Sequence, residues 1–247
     1  MLFRTPSRHF TMLDTALASR GSFARVPQMT SEEVQAIYNQ RFAGNRAYRQ
    51  QVWQVLTADF FEKWINPAGA VLDLGCGYGE FINQIRAREK YGMDLNPDSA
   101  RMLTPGIRFI QQDCSQLWPL PENSLDAVFT SNFFEHLPDK STLGRTLDQA
   151  KRCLKPGGRL IALGPNIKYL PGPYWDFWDH YLPLTETSLS EGLENRGFVI
   201  QHCFDRFLPY TMVKAREYPL FFLKFYLKTP LAWRFLGKQF LVVAAKK

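Results

Sequence analysis

The sequence predicts an α/β fold: a doubly wound, largely parallel sheet with helices on both faces. Three observations point to it. From residue 70 onward, short apolar strands alternate with helical patterns, as in successive βαβ units. The first strand runs directly into a glycine-rich turn and then a helical stretch, Val71-Leu72-Asp73-Leu74-Gly75-Cys76-Gly77-Tyr78-Gly79-Glu80-Phe81. Acids close the first three strands, at Asp73, Asp94 and Asp113. The composition agrees. A chain of 247 residues, 45% hydrophobic and 21% charged, is globular and excludes disordered, collagen-like and coiled-coil classes.

The elements follow in order. Residues 1–29 read as a loosely structured arm. Thr30-Ser31-Glu32-Glu33 is a capping box that predicts a helix to about Phe42. A second helix is expected over Ala47–Ile65, where Val52, Leu56, Phe60 and Trp64 stand four apart, and Pro67-Ala68-Gly69 stops it. Ala70–Leu74 is strand one, and Glu80–Ala87 reads as the helix after it. Lys90–Asp94, Arg108–Asp113 and Leu125–Ser131 are strands two to four. A helix over Ser141–Leu154 leads to strand five, Arg159–Leu163. The unbroken apolar runs Ala127-Val128-Phe129 and Leu160-Ile161-Ala162-Leu163 suit strands covered on both faces. Thr185 caps a helix to Arg196, Phe198–Cys203 is strand six, and Phe240–Ala245 is strand seven. The chain therefore divides into an N-terminal arm and helical cover (1–66), a core (67–204), an aromatic, basic helical insertion (205–238) and a final core strand (239–247).

The net charge of +7 is unevenly placed. Residues 206–247 hold nine basic residues against one acid, Glu217, and residues 1–49 hold seven against three. The middle, 50–205, is acidic, with 14 basic residues against 19 acids. Nucleic acid is not the expected partner, because no Lys/Arg cluster lies on the ligand edge of the sheet. The four cysteines, Cys76, Cys114, Cys153 and Cys203, form no C-x-x-C pair, which excludes a zinc ribbon and fits a reducing compartment. The start of the chain, Met1–Arg8, lacks an apolar core of signal-peptide length, so the expected location is cytoplasmic.

The glycine turn identifies a ligand class. A dinucleotide fingerprint needs a glycine where Glu80 stands, and an acid there opposes a pyrophosphate. A cationic ligand without phosphate meets no such objection. Asp94, ending strand two about 20 residues on, is placed to accept ribose hydroxyls. These residues resemble the class I S-adenosylmethionine-dependent methyltransferases, in their small-molecule branch. Five segments match in order: Asp73 to Gly79 after strand one, Asp94 after strand two and Asp113 after strand three. Leu125-Asp126-Ala127-Val128 opens strand four, and Leu154-Lys155-Pro156-Gly157-Gly158 opens strand five. The resemblance covers about 68–204 and the last strand. It implies a seven-stranded Rossmann-like methyltransferase sheet with six parallel strands and an antiparallel seventh. It implies S-adenosyl-L-methionine as cofactor and S-adenosyl-L-homocysteine as product. Gly75, Cys76 and Gly77 would pass the methionine moiety with Asp73 near its ammonium. Asp94 and Leu95 would lie at the ribose, Asp113 and Cys114 by the adenine, and Asn132 at the exit of strand four. Cys76 itself reads as a small packing residue.

The reaction site is expected at that exit, Ser131-Asn132-Phe133-Phe134-Glu135-His136-Leu137-Pro138, and at the later Asp179-His180. Methyl transfer to a hydroxyl needs an in-line acceptor and a group to take its proton. His180 and His136 are the candidate bases, with Glu135 beside them. A subset of the family carries E-x-x-E-H here and a later histidine, together binding a divalent metal. In this chain Asn132 replaces the first carboxylate and is a weaker ligand for a hard cation, so no metal is assigned. A divalent-metal-dependent O-methyltransferase is kept as an alternative, with a carboxyl methyltransferase and a catalytically silent cofactor-binding subunit. The long loop 165–181 offers Tyr174, Trp175 and Trp178 as faces for a small-molecule or glycan acceptor.

The insertion carries two short helical patterns, 218–228 and 231–236, rich in aromatics and leucine with Lys224 and Lys228 on one face. Three readings stand: peripheral contact with an anionic membrane or lipid-linked acceptor, a homodimer interface of an otherwise monomeric chain, or a roof over the acceptor pocket.

Overall fold

A computed structural model describes residues 46–210 and 217–247, together with Glu33. The expected arm and the capping-box helix of 30–42 lie outside the described residues. A seven-stranded sheet organises the rest, in the order β3-β2-β1-β4-β5-β7-β6. Its strands are β1 Ala70–Leu74, β2 Glu89–Asp94, β3 Ile107–Gln111, β4 Leu125–Ser131, β5 Leu154–Pro165, β6 Phe198–Phe204 and β7 Gln239–Lys246. β1 to β5 pair in parallel, and β7 runs antiparallel to both β5 and β6. Six strands therefore point one way and the seventh opposes them, as the sequence implied.

The two-residue period of a strand sends alternate side chains to opposite faces, and both faces are covered. Leu72 and Leu74, Val128, Leu160 and Ala162, and Phe240, Val242 and Ala244 enter one core. Val71, Ala127 and Phe129, Ile161 and Leu163, and Leu241 and Val243 enter the other. The first is closed by α3 (Lys140–Cys153) and α4 (Glu186–Glu194). Asp139 caps α3 by accepting the Thr142 N–H at 2.6 Å, and Thr185 and Ser188 form a reciprocal capping box on α4. The second is closed by α1 (Arg46–Asp59), α5 (Leu220–Leu227) and α6 (Pro230–Leu236). Phe60 joins these pieces, stacking on Phe207 at 4.4 Å and meeting Trp233 edge-on at 5.7 Å.

Three boundaries differ from expectation. The helix over Ala47–Ile65 breaks at Phe60, and only a 3-10 turn, Phe61–Trp64, follows. β5 begins at Leu154, with Gly157 at φ +76° and a register shift against β4 absorbing the Lys155–Gly158 segment. No continuous helix forms over Glu80–Ala87. Asn83 and Ile85 donate to carbonyls four residues back, but the segment is otherwise turns. Tertiary hydrogen bonds compete there: the Asn83 amide donates to Met102 O and accepts from Thr104 N, while Lys90 Nζ takes the Ile82 and Ile85 carbonyls. A one-turn helix, α2 (Ser99–Met102), was not foreseen. Among the described residues no helix is long and apolar enough to cross a membrane.

Candidate functional site

The carboxyl ends of the parallel strands form one edge, where ligands of open α/β sheets bind. The turn after β1 is pinned there, since Gly75 N and Cys76 N both donate to Met93 O at the end of β2, at 2.9 and 3.0 Å. Gly75 (φ +69°) and Gly77 (φ +51°) adopt the left-handed region that favours glycine. At Gly75 there is also no room for a side chain, because a Cβ would lie 2.3 Å from the Phe133 ring. Cys76 is buried and packs on β2, where a Cβ on Gly92 would come within 3.0 Å of its Sγ. Burial, and then the charges of Asp73 and Asp94, push its thiol well up, so it stays a thiol.

Three acids meet at this turn. Asp94, 8% exposed, accepts from Gly77 N through Oδ2 (2.8 Å) and from Asn96 N through Oδ1 (2.9 Å). Asp73 is 3% exposed. Burial, then repulsion from Glu80 and Asp94, holds its carboxyl well above the usual range, against a hydrogen bond from the Ile82 backbone. Glu80 pairs with Arg49 of α1 at 2.5 Å, and Arg46 lies over the Tyr78 ring at 5.7 Å, so α1 covers the turn. Among the described residues no salt bridge reaches Asp73 or Asp94. A cradle with two buried, unpaired carboxylates repels phosphate and suits a ligand that carries a cation and hydroxyl donors.

Further along the edge, Asp113 is half-buried, and its Oδ1 accepts from Ser115 N at 2.8 Å. Leu95 is exposed. The Cys114 thiol turns away into the core, 3.2 Å from Thr146 Oγ1 on α3, and burial pushes it up to about 12. Asn132 is exposed at φ +49°, its N–H donating to Leu163 O and its amide to Ser131 Oγ.

The structure brings Glu135, His136 and His180 together, with ligating atoms of all three within 4.8 Å of one another. The rings of His136 and His180 meet edge-on at 5.1 Å. Glu135 is 3% exposed, and burial raises its carboxyl to about 7 although the His136 charge opposes this. Its carbonyl accepts from Tyr181 N and Leu182 N, which fastens the 165–184 loop to the exit of β4. His136 Nδ1 lies 2.9 Å from Asp179 O and 3.2 Å from Asp179 Oδ2. Burial disfavours its charge, but the Asp179 hydrogen bond and the Glu135 charge outweigh that and hold its pKa above the ordinary value. His180 Nδ1 lies 2.9 Å from Tyr174 O, and its ring stacks on Phe177 at 4.8 Å. The cluster adjoins the glycine turn: Phe133 packs on Gly75 three residues before His136, and the His136 charge is felt at Asp94.

Of the three loop aromatics, Tyr174 is fully buried beside His180, at 4.7 Å between ring centroids, and its hydroxyl has no hydrogen-bond partner among the described residues. Trp175 and Trp178 are 56% and 85% exposed. Sequence reasoning did not assign a role to Asp179. Its only signal was the dipeptide Asp179-His180, which directs attention to the neighbouring histidine and not to His136, 43 residues away.

A family model described as a methyltransferase domain matches residues 72–162. Over 140 residues the chain is 31% identical to a probable S-adenosylmethionine-dependent methyltransferase of Mycolicibacterium smegmatis, covering 53% of this chain and 52% of that protein. It is 29% identical over 143 residues to a ubiquinone/menaquinone biosynthesis C-methyltransferase of Syntrophotalea carbinolica, covering 52% and 59%. The chain thus spans about half the length of these curated relatives. In fold it is similar to a SAM dependent methyltransferase from Archaeoglobus fulgidus, with a TM-score of 0.58 at 21% identity, covering 86% of this chain and 99% of the other.

Proposed function

We propose that the chain is a class I S-adenosylmethionine-dependent methyltransferase that O-methylates a small-molecule or glycan hydroxyl with a histidine as base, a reading supported by the matching methyltransferase domain and the similar relatives. One observation carries the reading: an acidic cradle and a pair of imidazoles lie together at one sheet edge. The residues fit the cofactor: among the described residues no salt bridge reaches the buried carboxylates of Asp73 and Asp94, and the glycines of the turn carry no side chain to hold a ligand off the backbone. When bound, S-adenosyl-L-methionine supplies an electrophilic methyl group on a sulfonium. Asp73 would hold the ammonium, Asp94 would accept the ribose hydroxyls with Leu95 beside it, and Asp113 would lie by the adenine. His136 takes the acceptor proton, while Asp179 holds its ring through Nδ1 and stabilises the imidazolium that results. The quinone-pathway relative is named a C-methyltransferase, and the same base serves a carbon made nucleophilic by loss of a neighbouring hydroxyl proton.

Isothermal titration with S-adenosyl-L-homocysteine tests the cofactor half. Asp94→Ala is expected to weaken binding about 5- to 150-fold, the loss of one to two hydrogen bonds to a charged acceptor worth about 1–3 kcal/mol. No heat of binding in the unmodified protein would remove the reading altogether. Bound cofactor with no turnover over a broad acceptor panel would make the chain a cofactor-binding subunit.

A second reading has its own support. Glu135, His136 and His180 are grouped as ligands to a divalent ion would be, and each histidine has Nδ1 against a carbonyl, the usual way an imidazole ligand is oriented. Such an ion would act as a Lewis acid on the acceptor hydroxyl. If the base acts alone, EDTA leaves turnover unchanged and calorimetry with Mn²⁺ or Zn²⁺ shows no site. One equivalent bound, and lost in His180→Ala, would select the metal reading.

A further inference from the structure

Among the described residues, the hydrogen bonds and ring contacts that fix the helices between β6 and β7 lie on their inner side. Trp233 Nε1 donates to Tyr226 O at 2.7 Å, and the Tyr226 hydroxyl donates to Phe207 O at 2.5 Å. Trp233 meets the Phe207 ring edge-on at 5.0 Å. These contacts hold α5 and α6 against the second core. The outer side carries Phe221, Phe222, Phe225, Leu231, Phe235 and Leu236, each between 54% and 73% exposed. Scattered exposed hydrophobics are ordinary. Six on two adjoining short helices form a patch of the kind that marks an interaction surface.

The charges on the two helices have one sign, and Glu217, just before α5, is the one acid of residues 206–247. Lys224, Lys228, Arg234 and Lys238 are exposed, and residues 220–238 contain no acid. A second copy of the chain is a poor occupant, because a two-fold interface sets a patch against itself and would bring these cations together. A lipid surface satisfies both features at once. Large apolar side chains enter the boundary between headgroups and acyl chains while flanking amines meet phosphates. At eight and seven residues, α5 and α6 suit lying in that plane and are too short to span it.

We propose that the outer face of α5 and α6 docks this protein on an anionic lipid bilayer. The fold gives that a consequence for the site. β6 ends, and the antiparallel β7 begins, at the carboxyl edge of the sheet, so the insertion is rooted where the glycine turn and the histidines lie. Asn166 at the end of β5 makes the link, with N–H to Lys238 O at 3.0 Å and amide to Asp205 O at 2.9 Å. Docking therefore brings the root of the insertion, on the same sheet edge as the candidate site, close to the membrane.

The test is co-sedimentation of the full chain with vesicles of phosphatidylcholine alone or containing phosphatidylglycerol, with thermal melts and light scattering as companions. The chain is expected to pellet with anionic vesicles, little with neutral ones, and less as salt is raised. Lys224→Glu/Lys228→Glu should lower partitioning about tenfold or more. Phe225→Ser/Phe235→Ser should lower it at every salt concentration. Both variants replace exposed side chains, so their melting temperatures should match that of the unmodified chain; Phe235→Ser alone serves if the double variant melts early. Equal pelleting with both vesicle types, or variants that pellet as well as the parent, would overturn the proposal. So would a dimer in light scattering that Phe225→Ser/Phe235→Ser dissociates, which would make the face a protein interface.

Discussion

Gly75→Ala is expected to destabilise the chain by about 2–5 kcal/mol, and cofactor binding should be lost with the turn. Two costs add. At φ +69° a side chain pays the left-handed penalty of about 1–2 kcal/mol. Its Cβ would also sit 2.3 Å from Phe133 Cγ, and overpacking of that kind costs about 1–3 kcal/mol. The turn has little freedom to retreat, because Gly75 N and Cys76 N are both held by Met93 O. At about 2–4 °C per kcal/mol for a domain of this size, the melting temperature should fall by about 4–20 °C. Gly157→Ala separates the terms. That glycine has φ +76° with nothing within 4 Å of a Cβ, so it should show the backbone cost alone. A double-mutant cycle with Phe133→Ala removes the two ring contacts, at 2.3 and 2.4 Å, and leaves the Phe133 Cβ at 2.8 Å, so it should recover part of the steric cost. If Gly75→Ala costs as much with Phe133 removed as with it present, the packing argument fails.

The sheet was legible because its signal is local and repeats. Each strand's alternation, Val71 against Leu72 or Ile161 against Leu160, assigns its side chains to two cores, and both cores are found. The glycine turn and its acids were legible for the same reason, since backbone need and charge are written within a few residues of each other. What failed depends on distant partners. Glu80–Ala87 has a helical pattern, yet Asn83 and Lys90 bind backbone groups that a helix would use. The Asp179–His136 contact spans 43 residues with no periodicity to announce it. Tyr174 reads as an exposed stacking face like Trp175 and Trp178, but only the tryptophans are exposed, because Tyr174 is drawn in against His180. In the insertion, composition showed apolar and basic residues together. It did not show that Tyr226, Leu227 and Trp233 would take the inner side and leave six large apolar side chains facing out.

Asp73→Asn should move stability and cofactor affinity in opposite directions. Asp73 is buried with its carboxyl held well above the usual range, first by burial and then by Glu80 and Asp94. A folded-state value above the unfolded one means that folding takes up a proton between the two. Stability is therefore lost as pH rises from the ordinary carboxylate range through the raised value, and the penalty is in force wherever Asp73 is ionised. Asparagine removes the charge and keeps an oxygen for the Ile82 N–H, so the ligand-free variant should melt a few degrees higher than the parent, the more so at higher pH. The proposed ligand reverses the sign. Its ammonium pairs with the ionised carboxylate, and removing one partner of a buried charge pair costs about 2–5 kcal/mol, or about 30-fold or more in the dissociation constant. In the parent, affinity should rise with pH as Asp73 ionises and then level off; in Asp73→Asn this dependence should flatten. Differential scanning fluorimetry gives the melting temperatures and calorimetry the affinities. A variant that melts lower and binds S-adenosyl-L-homocysteine as tightly as the parent would make Asp73 a structural acid and leave the ammonium without a partner. The opposite pair of signs is hard to obtain any other way: a residue that only packs gives no affinity change, and one that only supports the turn gives no gain in stability when its charge is removed.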